Sequence, residues 1–197
     1  IYRYSGNNLI APKPQSSWAK YVIRSSIIDT EGSIWVGTQN HGLIQLQDGV
    51  FTPFGPSEGV LGTDAWALAQ ADNQDIWFGT NQGITRITSD NTVRPCPHEN
   101  PTEFQRIRAL CVDHQDRLWI GTNGFGLWMY TQDTFSRIAP SPDCPEANFR
   151  AITADIHGNL WIGSFGGGLK RYTENGFASF SGETVFTDMF VAALHLD

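Results

Sequence analysis

The chain has 197 residues, with 13 Lys and Arg against 20 Asp and Glu, so that its formal net charge is −7. This length suits one or at most two domains with a sizeable core, and a pI near 5.1 excludes a nucleic-acid binder that works by overall charge. A charged fraction of 17% argues against disorder, while 20 Gly and an aromatic fraction of 12% favour β-structure with many tight turns.

An internal repeat is marked by tryptophans that stand 42 residues apart: Trp35, Trp77, Trp119 and Trp161. Two residues after each tryptophan comes a glycine, and a Thr or Ser follows it. Six residues before the tryptophan stands an aspartate in three of the four copies, and Ala71 takes that place in the second copy. Four copies in register predict a repeat architecture.

Each repeat predicts four short strands, which the last copy illustrates in chain order. The apolar stretch 151–153 comes first, and a polar turn leads to the tryptophan-bearing strand 160–163. A glycine-rich loop precedes the third strand, 169–172, and an Asn-Gly turn before the fourth, 177–180, is a strong hairpin signal. Four strands in about 40–45 residues are typical of a β-propeller blade.

The predicted fold is therefore an all-β β-propeller made of four-stranded blades with a 42-residue repeat. Four full blades cover about 23–64, 65–106, 107–148 and 149–190, with partial blades at 1–22 and 191–197. Because residues 1–4 match a third strand and 193–197 match a first strand, we expect a segment of a longer array; a five-unit ring that lacks one strand is the alternative. An open arc would expose blade faces and strand edges, which favours a homodimer.

The sequence D-x-x-G-x-L-W-I-G-T-x-x-G-G-L, followed by a basic residue and Tyr, resembles the two-component regulator propeller repeat. The match is nearest in 155–172 and 113–130 and extends over about 24–197, although 71–83 departs from it at the Asp, at one Gly and in a shortened loop. The resemblance implies a periplasmic sensor region of a membrane-anchored bacterial signalling protein. It also implies an output domain, a histidine kinase or a diguanylate cyclase, outside this segment.

The repeated residues are expected to be structural. The tryptophans should fill the space between blades, the glycines should allow close backbone approach, and each aspartate should bind its own turn. One carboxylate per blade does not form a Ca²⁺ site, so no metal or cofactor is expected. Three cysteines are too few for a disulfide scaffold; Cys111 should be a buried small residue, and the sequence allows a disulfide between Cys96 and Cys144 in an oxidising compartment.

One repeated position predicts a binding site. Eleven residues before each tryptophan stand Arg24, Trp66, Arg108 and Arg150, where one blade passes to the inner strand of the next at one mouth of the channel. The loops between second and third strands open on the same face and carry His41, Asn81, Phe125 and Phe165. Arginines suit carboxylate, sulfate or phosphate groups and aromatic faces stack on sugars, which predicts a small molecule or glycan, of anionic character. The alternative is that each arginine pairs with a carboxylate or carbonyl of the next blade.

Three functions remain open from the sequence. The first is an extracytoplasmic ligand-sensing module without catalytic activity; the second is a protein-interaction or dimerisation scaffold. The third is a lyase or hydrolase that resembles the streptogramin lyases, although no Gly-x-Ser-x-Gly, P-loop or paired-histidine motif is present. No apolar run approaches about 18 residues and the start has no signal-peptide pattern, so we expect no membrane contact by this segment, and the charge predicts no nucleic-acid partner.

Overall fold

The computed structural model describes residues 21–102, 104–139, 144, 148–178 and 190–195, together with the backbone of 3–5 and 8–10. The first two strands, β1 (Arg3–Ser5) and β2 (Asn8–Ile10), form an antiparallel pair. Every other strand in the described residues belongs to one of four four-stranded sheets, in each of which consecutive strands are hydrogen-bonded neighbours.

The four sheets follow one another along the chain. The first contains β3 (Ile23–Ile28), β4 (Ile34–Thr38), β5 (Leu43–Gln47) and β6 (Val50–Phe54), and a 3-10 helix (Pro56–Glu58) follows it. The second contains β7 (Ala67–Gln70), β8 (Ile76–Gly79), β9 (Ile84–Ile87) and β10 (Val93–Cys96). The third contains β11 (Ile107–Val112), β12 (Leu118–Thr122), β13 (Leu127–Thr131) and β14 (Thr134–Ala139). The fourth contains β15 (Phe149–Ala154), β16 (Leu160–Ser164), β17 (Leu169–Thr173) and β18 (Gly176–Ala178).

Four antiparallel meanders of this kind are propeller blades, and the predicted fold class is confirmed. The first strands lie side by side in succession, β3 beside β7, β7 beside β11 and β11 beside β15, so they form the inner wall. The division of the ends into partial blades stays a prediction. Part of the predicted last strand, 179–180, lies outside the described residues.

The first strand that the sequence predicts at 193–197 is not formed in the described residues 190–195. An inner strand pairs with the second strand of its own blade, and the described residues contain no such partner for this segment. The segment nevertheless reaches the position of an inner strand. The amide of Val191 donates to the carbonyl of Ser164, and Phe190 forms an isolated bridge with Phe165.

The apolar cores lie between blades. One core joins Trp35 and Phe54 of the first blade to Leu68 and Phe78 of the second. The next joins the second and third blades, and the last joins the third and fourth. Each blade is therefore stabilised mainly by its neighbour, because a single sheet cannot bury both of its faces alone.

The glycine of each repeat permits this packing, as predicted. A Cβ placed on Gly121 would lie 2.9 Å from the Cβ of Phe149 and 3.2 Å from that of Ala109. A Cβ on Gly163 would lie 2.6 Å from a methyl carbon of Val191. The first strand β15 occupies the space that a side chain on Gly121 would need, and the segment that contains Val191 does so at Gly163.

The repeated aspartate binds its turn, as predicted, and also binds the repeated tryptophan. Oδ1 of Asp113 accepts the amides of Gln115 (2.9 Å) and Arg117 (3.1 Å), while Oδ2 accepts the indole N–H of Trp119 (2.7 Å). The same indole bond is made by Trp35 to Asp29 and by Trp161 to Asp155. The six-residue spacing between the two residue types thus reflects a direct contact.

The second blade holds its tryptophan differently, because the methyl side chain of Ala71 cannot accept a hydrogen bond from the indole. Asp75, four residues further on, is buried and forms an ion pair with Arg86 at 3.5 Å. The guanidinium of Arg86 in turn lies 5.3 Å from the ring centroid of Trp77. A carboxylate still fixes the environment of the indole, but it acts through an arginine.

The cysteine predictions need correction. Cys96 carries a free thiol, so the disulfide with Cys144 that the sequence allows is not formed. Cys96 packs against the core between the second and third blades, whereas Cys144 lies in the core between the third and fourth. Cys111 is half-buried, and burial raises the pKa of its thiol to about 11.

Candidate functional site

The predicted site residues lie on one face of the propeller, which we call the mouth face. It is formed by the segments that enter each first strand and by the loops between second and third strands. Backbone hydrogen bonds join the two kinds of segment: Gln39 N–H donates to Val22 O (2.8 Å), Asn123 N–H to Arg106 O (3.0 Å) and Phe165 N–H to Asn148 O (2.9 Å). The loops are closed by the repeated hydroxyl residues; the fully buried Thr122 donates to Gly126 O at 2.7 Å.

Three of the predicted site residues are in direct contact. The guanidinium carbon of Arg24 lies 4.0 Å from the ring centroid of Trp66, and that of Arg108 lies 3.7 Å from it. Two guanidinium groups cannot share one ring face at these distances, so the indole lies between them. A contact of this kind contributes about 0.5–2 kcal/mol, depending on how far the cation is desolvated.

The expectation that a sugar ring stacks on Trp66 stays a prediction, although arginines now occupy the space over its ring. Both faces of the ring are covered by arginines, and only its edge is left for a ligand. Its Nε1 is buried and makes no hydrogen bond within the described part of the chain.

Arg24 forms an ion pair at the end of its own predicted blade, and the alternative that each arginine pairs with the next blade stays a prediction. Nε of Arg24 lies 3.9 Å from Oδ1 of Asp64, which precedes the second blade. Arg108 and Arg150 have no ion pair among the described residues. One of the three arginines is thus partly neutralised by the protein, and the other two are not.

Arg108 and Arg150 leave donors unused. Nε and Nη1 of Arg108 and Nε of Arg150 are buried and have no hydrogen-bond partner within the described residues. Burial, and next the charge of Arg150, lower the pKa of the Arg108 guanidinium; the carboxylate of Asp64 acts in the opposite direction. Unsatisfied buried donors are uncommon in folded proteins and call for a partner.

The four loop residues are more widely spread. His41 is exposed and stacks on Tyr21, with 3.7 Å between ring centroids, and its Nδ1 lies 2.9 Å from Gln39 O. Asn81 is half-buried, and its Oδ1 has no hydrogen-bond partner in the described chain. Phe125 is half-buried, whereas Phe165 is 56% exposed. The rings of Phe165 and Phe190 form an edge-to-face contact with 5.0 Å between their centroids.

The sequence missed two charged residues of the site. Asp64 and Arg106 stand two residues before Trp66 and Arg108 respectively, and the charges of both act on Arg108. Both residues occupy the same position of the repeat, and this shared position could have identified them from the sequence. The opposite signs at equivalent places show that this position varies from blade to blade.

A groove of about 800 Å³ lies elsewhere, between the third and fourth blades. Its lining includes Trp119, Arg117 and Tyr172. These side chains have partners inside the protein, since Arg117 pairs with Asp113 at 2.7 Å and Tyr172 packs on Trp119 at 5.3 Å. The mouth face carries the denser set of unpaired donors.

Two kinds of site were also sought in the part of the chain that the structure describes. No three His, Cys, Asp or Glu side chains there converge in a way that could hold a metal ion. No helix there has the length and apolarity that crossing a bilayer requires. The expectation that the segment needs no metal or cofactor stays a prediction.

Comparison with known proteins supports the resemblance seen in the repeat. Residues 103–124, which include β11 and β12, match the model of the two-component regulator propeller family. The similarity to that family is confirmed by this match together with the fold. No curated protein sequence matches the chain.

Several solved structures share the fold. The extracellular domain of a proposed hybrid two-component system from B. thetaiotaomicron is 18% identical and covers 100% of this chain and 28% of its own, with a TM-score of 0.78. A proposed one-component system of the same organism is 21% identical over 88% of this chain and 24% of its own, with a TM-score of 0.71. Virginiamycin B lyase from Staphylococcus aureus is 19% identical over 86% of this chain and 58% of its own, with a TM-score of 0.69.

These identities show a common fold alone. The chain spans about three fifths of the lyase and about a quarter of each extracellular domain. Sensor and enzyme propellers both occur among the neighbours, so the function has to be argued from the site.

Proposed function

We propose that this chain is part of the extracytoplasmic, ligand-sensing propeller of a bacterial signal-transduction protein and catalyses no reaction itself. The family match at 103–124 and the fold shared with extracellular domains of B. thetaiotaomicron signalling systems support the sensory role. A periplasmic location is part of the proposal. Ligand binding would shift the packing of blades or subunits, which is how a non-catalytic module passes on a signal.

The observation that carries the proposal is the cluster formed by Arg24, Trp66 and Arg108 on the mouth face, with Arg150 beside it. It gathers positive charge and unused buried donors in a protein whose net charge is −7. Such a cluster costs folding free energy unless a ligand or partner completes it. A small anionic molecule or an acidic glycan would supply the missing acceptors.

The mouth face supports binding better than it supports catalysis. Acid–base chemistry requires titratable groups within hydrogen-bond reach of each other and of the substrate. Nδ1 of His41 is engaged by Gln39 O and its ring is covered by Tyr21, while Asp64 faces Arg24. The chain therefore shares its fold with virginiamycin B lyase, but these residues of the mouth face do not form a set of acid–base groups.

A thermal-shift screen of neutral sugars, acidic oligosaccharides and amino acids tests the proposal. We expect at least one compound to raise Tm, and Phe165→Ala to reduce that shift, because Phe165 is the exposed aromatic of the mouth face. His157→Ala is the matched control, since His157 is exposed in a turn on the opposite face. Equal shifts in all three proteins would place the ligand elsewhere, and no shift from any compound would contradict a small-molecule sensor.

A homodimerisation scaffold is a second candidate, supported by exposed apolar side chains. Ile28 is 72% exposed at the end of β3, and Val22 and Ile23 are also exposed at its beginning. Sedimentation velocity of the wild type and of Ile28→Ser tests this role. A concentration-dependent dimer that Ile28→Ser weakens supports it, and a monomer at all concentrations contradicts it.

A further inference from the structure

We call the position eleven residues before each repeated tryptophan the handover position; the three pairs of handover residues in neighbouring blades are not alike. Between the first and second blades, Arg24 lies on Trp66, and between the second and third, Arg108 lies on the same ring. Between the third and fourth blades, the equivalent pair is Arg108 and Arg150. Two junctions therefore join a cation to an aromatic ring, and one brings two cations together.

Arg108 and Arg150 are each the second residue of a first strand, β11 and β15, and these two strands lie side by side. After burial, Arg150 is the strongest influence that lowers the pKa of Arg108, ahead of Arg24 and Arg106. Nε of each arginine is buried without a hydrogen-bond partner in the described chain, and so is Nη1 of Arg108. The pair thus combines like charges with unsatisfied donors.

The described residues offer this pair no carboxylate where the first junction has one. Asp64 stands two residues before the second blade's handover residue and pairs with Arg24. The residue equivalent to it at the third junction is Asn148, whose carbonyl accepts the amide of Phe165 at 2.9 Å. Arg106, at the same position of the second junction, adds a further positive charge near Arg108.

We propose that an oxyanion, in the form of a carboxylate, sulfate or phosphate group of the ligand, binds between Arg108 and Arg150. The inference rests on the proposed function and names the group that the sensor recognises. Planar guanidinium groups donate pairs of hydrogen bonds to such groups, and in a partly desolvated site these bonds are stronger than neutral ones. The anion would neutralise the repulsion between the two guanidinium groups.

This geometry also limits how the rest of the ligand is held. Arg24 and Arg108 cover both faces of Trp66, so the ligand is held by its charge at this point. A neutral sugar should therefore bind far more weakly than the corresponding sugar acid or sulfate ester.

Thermal shift and calorimetry with sodium sulfate against sodium chloride at matched ionic strength, and with galacturonate against galactose, test the inference. We expect sulfate or galacturonate to raise Tm and their neutral or chloride counterparts to have no such effect. Arg108→Gln and Arg150→Gln should each weaken anion binding about tenfold or more, as expected for a charged hydrogen-bond donor. Arg94→Gln is the matched control, because Arg94 is exposed on the outer strand β10 and carries the same charge.

The results separate this inference from the proposed function. An anion shift that survives unchanged in Arg108→Gln and Arg150→Gln overturns the inference, while a screening hit that Phe165→Ala weakens still supports a sensor.

If Arg108→Gln does not fold, as judged by near-UV circular dichroism, Arg108→Lys decides, because it keeps the charge but loses the planar pair of donors. Wild-type sulfate and galacturonate binding in Arg108→Lys would likewise overturn the inference. A response to galacturonate alone supports it and assigns a carboxylate; a response to sulfate alone supports a sulfate or phosphate ester.

Discussion

Trp66 occupies a position at which the first, third and fourth blades carry arginine. A fourth arginine there would place four guanidinium groups in succession around the mouth. The indole instead separates Arg24 from Arg108 and attracts both, since the ring face is the negative end of its quadrupole. The tryptophan at this one position of the repeat therefore lowers the electrostatic repulsion among the arginines of the mouth face.

Replacement of Trp66 by Leu should destabilise the fold by about 1–2 kcal/mol beyond the loss of packing, because two cation–π contacts disappear. Urea unfolding followed by circular dichroism measures this. In an Arg24→Gln background, where one contact is already absent, the additional loss should fall to about half. An identical loss in both backgrounds would contradict the role of the stack.

Asp113 makes stability depend on pH. Its burial opposes ionisation, but hydrogen bonds from Trp119, Arg117 and the turn amides outweigh this and hold the pKa of Asp113 below its usual value of 3.8. The charged form therefore stabilises the fold. Its contribution is complete above the usual aspartate pKa and is lost as the pH falls through the lower pKa of the folded state.

We accordingly expect Asp113→Asn to cost about 1–3 kcal/mol near pH 7, as for a hydrogen-bonded charged group. The difference from wild type should shrink as the pH falls from about 5 toward about 2. Urea midpoints across this range test the prediction. Asp116→Asn is the control, since Asp116 is exposed in the same turn; a pH-independent difference for Asp113→Asn would show that its charge is irrelevant.

At the level of the elements, the repeated glycine on the second strand of each blade packs against the beginning of the next repeat. Gly121 on β12 faces Phe149 on β15, and Gly163 on β16 faces Val191. The tryptophan two residues earlier is fixed by its aspartate, so the strand cannot shift to make room. Because the glycine has no side chain, neighbouring blades can pack as closely as they do at this position.

Gly121→Ala should destabilise the protein by about 1–3 kcal/mol, because the added methyl overpacks the junction between β12 and β15. Gly55→Ala provides the control: its backbone is extended and the nearest atom to an added Cβ is a flexible Glu58 oxygen at 3.4 Å. Thermal unfolding of both variants measures the difference. Equal Tm values would show that the junction relaxes around the methyl group.

At the scale of the whole molecule, three apolar cores link four blades in series, and no blade has a core of its own among the described residues. Ile107 shows how this works, because it begins the third blade yet packs in the core that also contains Trp77 and Ile84 of the second. Loss of one core therefore exposes faces of two blades. This arrangement predicts cooperative unfolding.

Ile107→Ala should cost about 2–5 kcal/mol and lower the midpoint of a single transition. Tryptophan fluorescence and far-UV circular dichroism during urea unfolding test this, since each blade carries a repeated tryptophan. Coincident curves at a lower midpoint are expected. Separate transitions for the two signals would mean that blades unfold independently.

How much could be predicted differs between the fold and the site. The spacing of Trp35, Trp77, Trp119 and Trp161 was enough to predict the blades, because a strand pattern repeated in register leaves few other architectures. The handover position was also found from spacing. The stack on Trp66, the ion pair of Asp64 and the disulfide that does not form at Cys96 could not be found in this way.

The sequence by itself determined the period, the strands within each blade and the face on which the arginines lie, because these follow from local patterns that recur every 42 residues. Only the tertiary structure decided which arginines lie on the indole ring and which one pairs with a carboxylate. It also decided which arginine is left beside another arginine. Those contacts join different blades and depend on distances of a few ångströms between residues about 42 positions apart in the chain. A repeat places the residues at equivalent positions, but packing between blades decides what each of them touches.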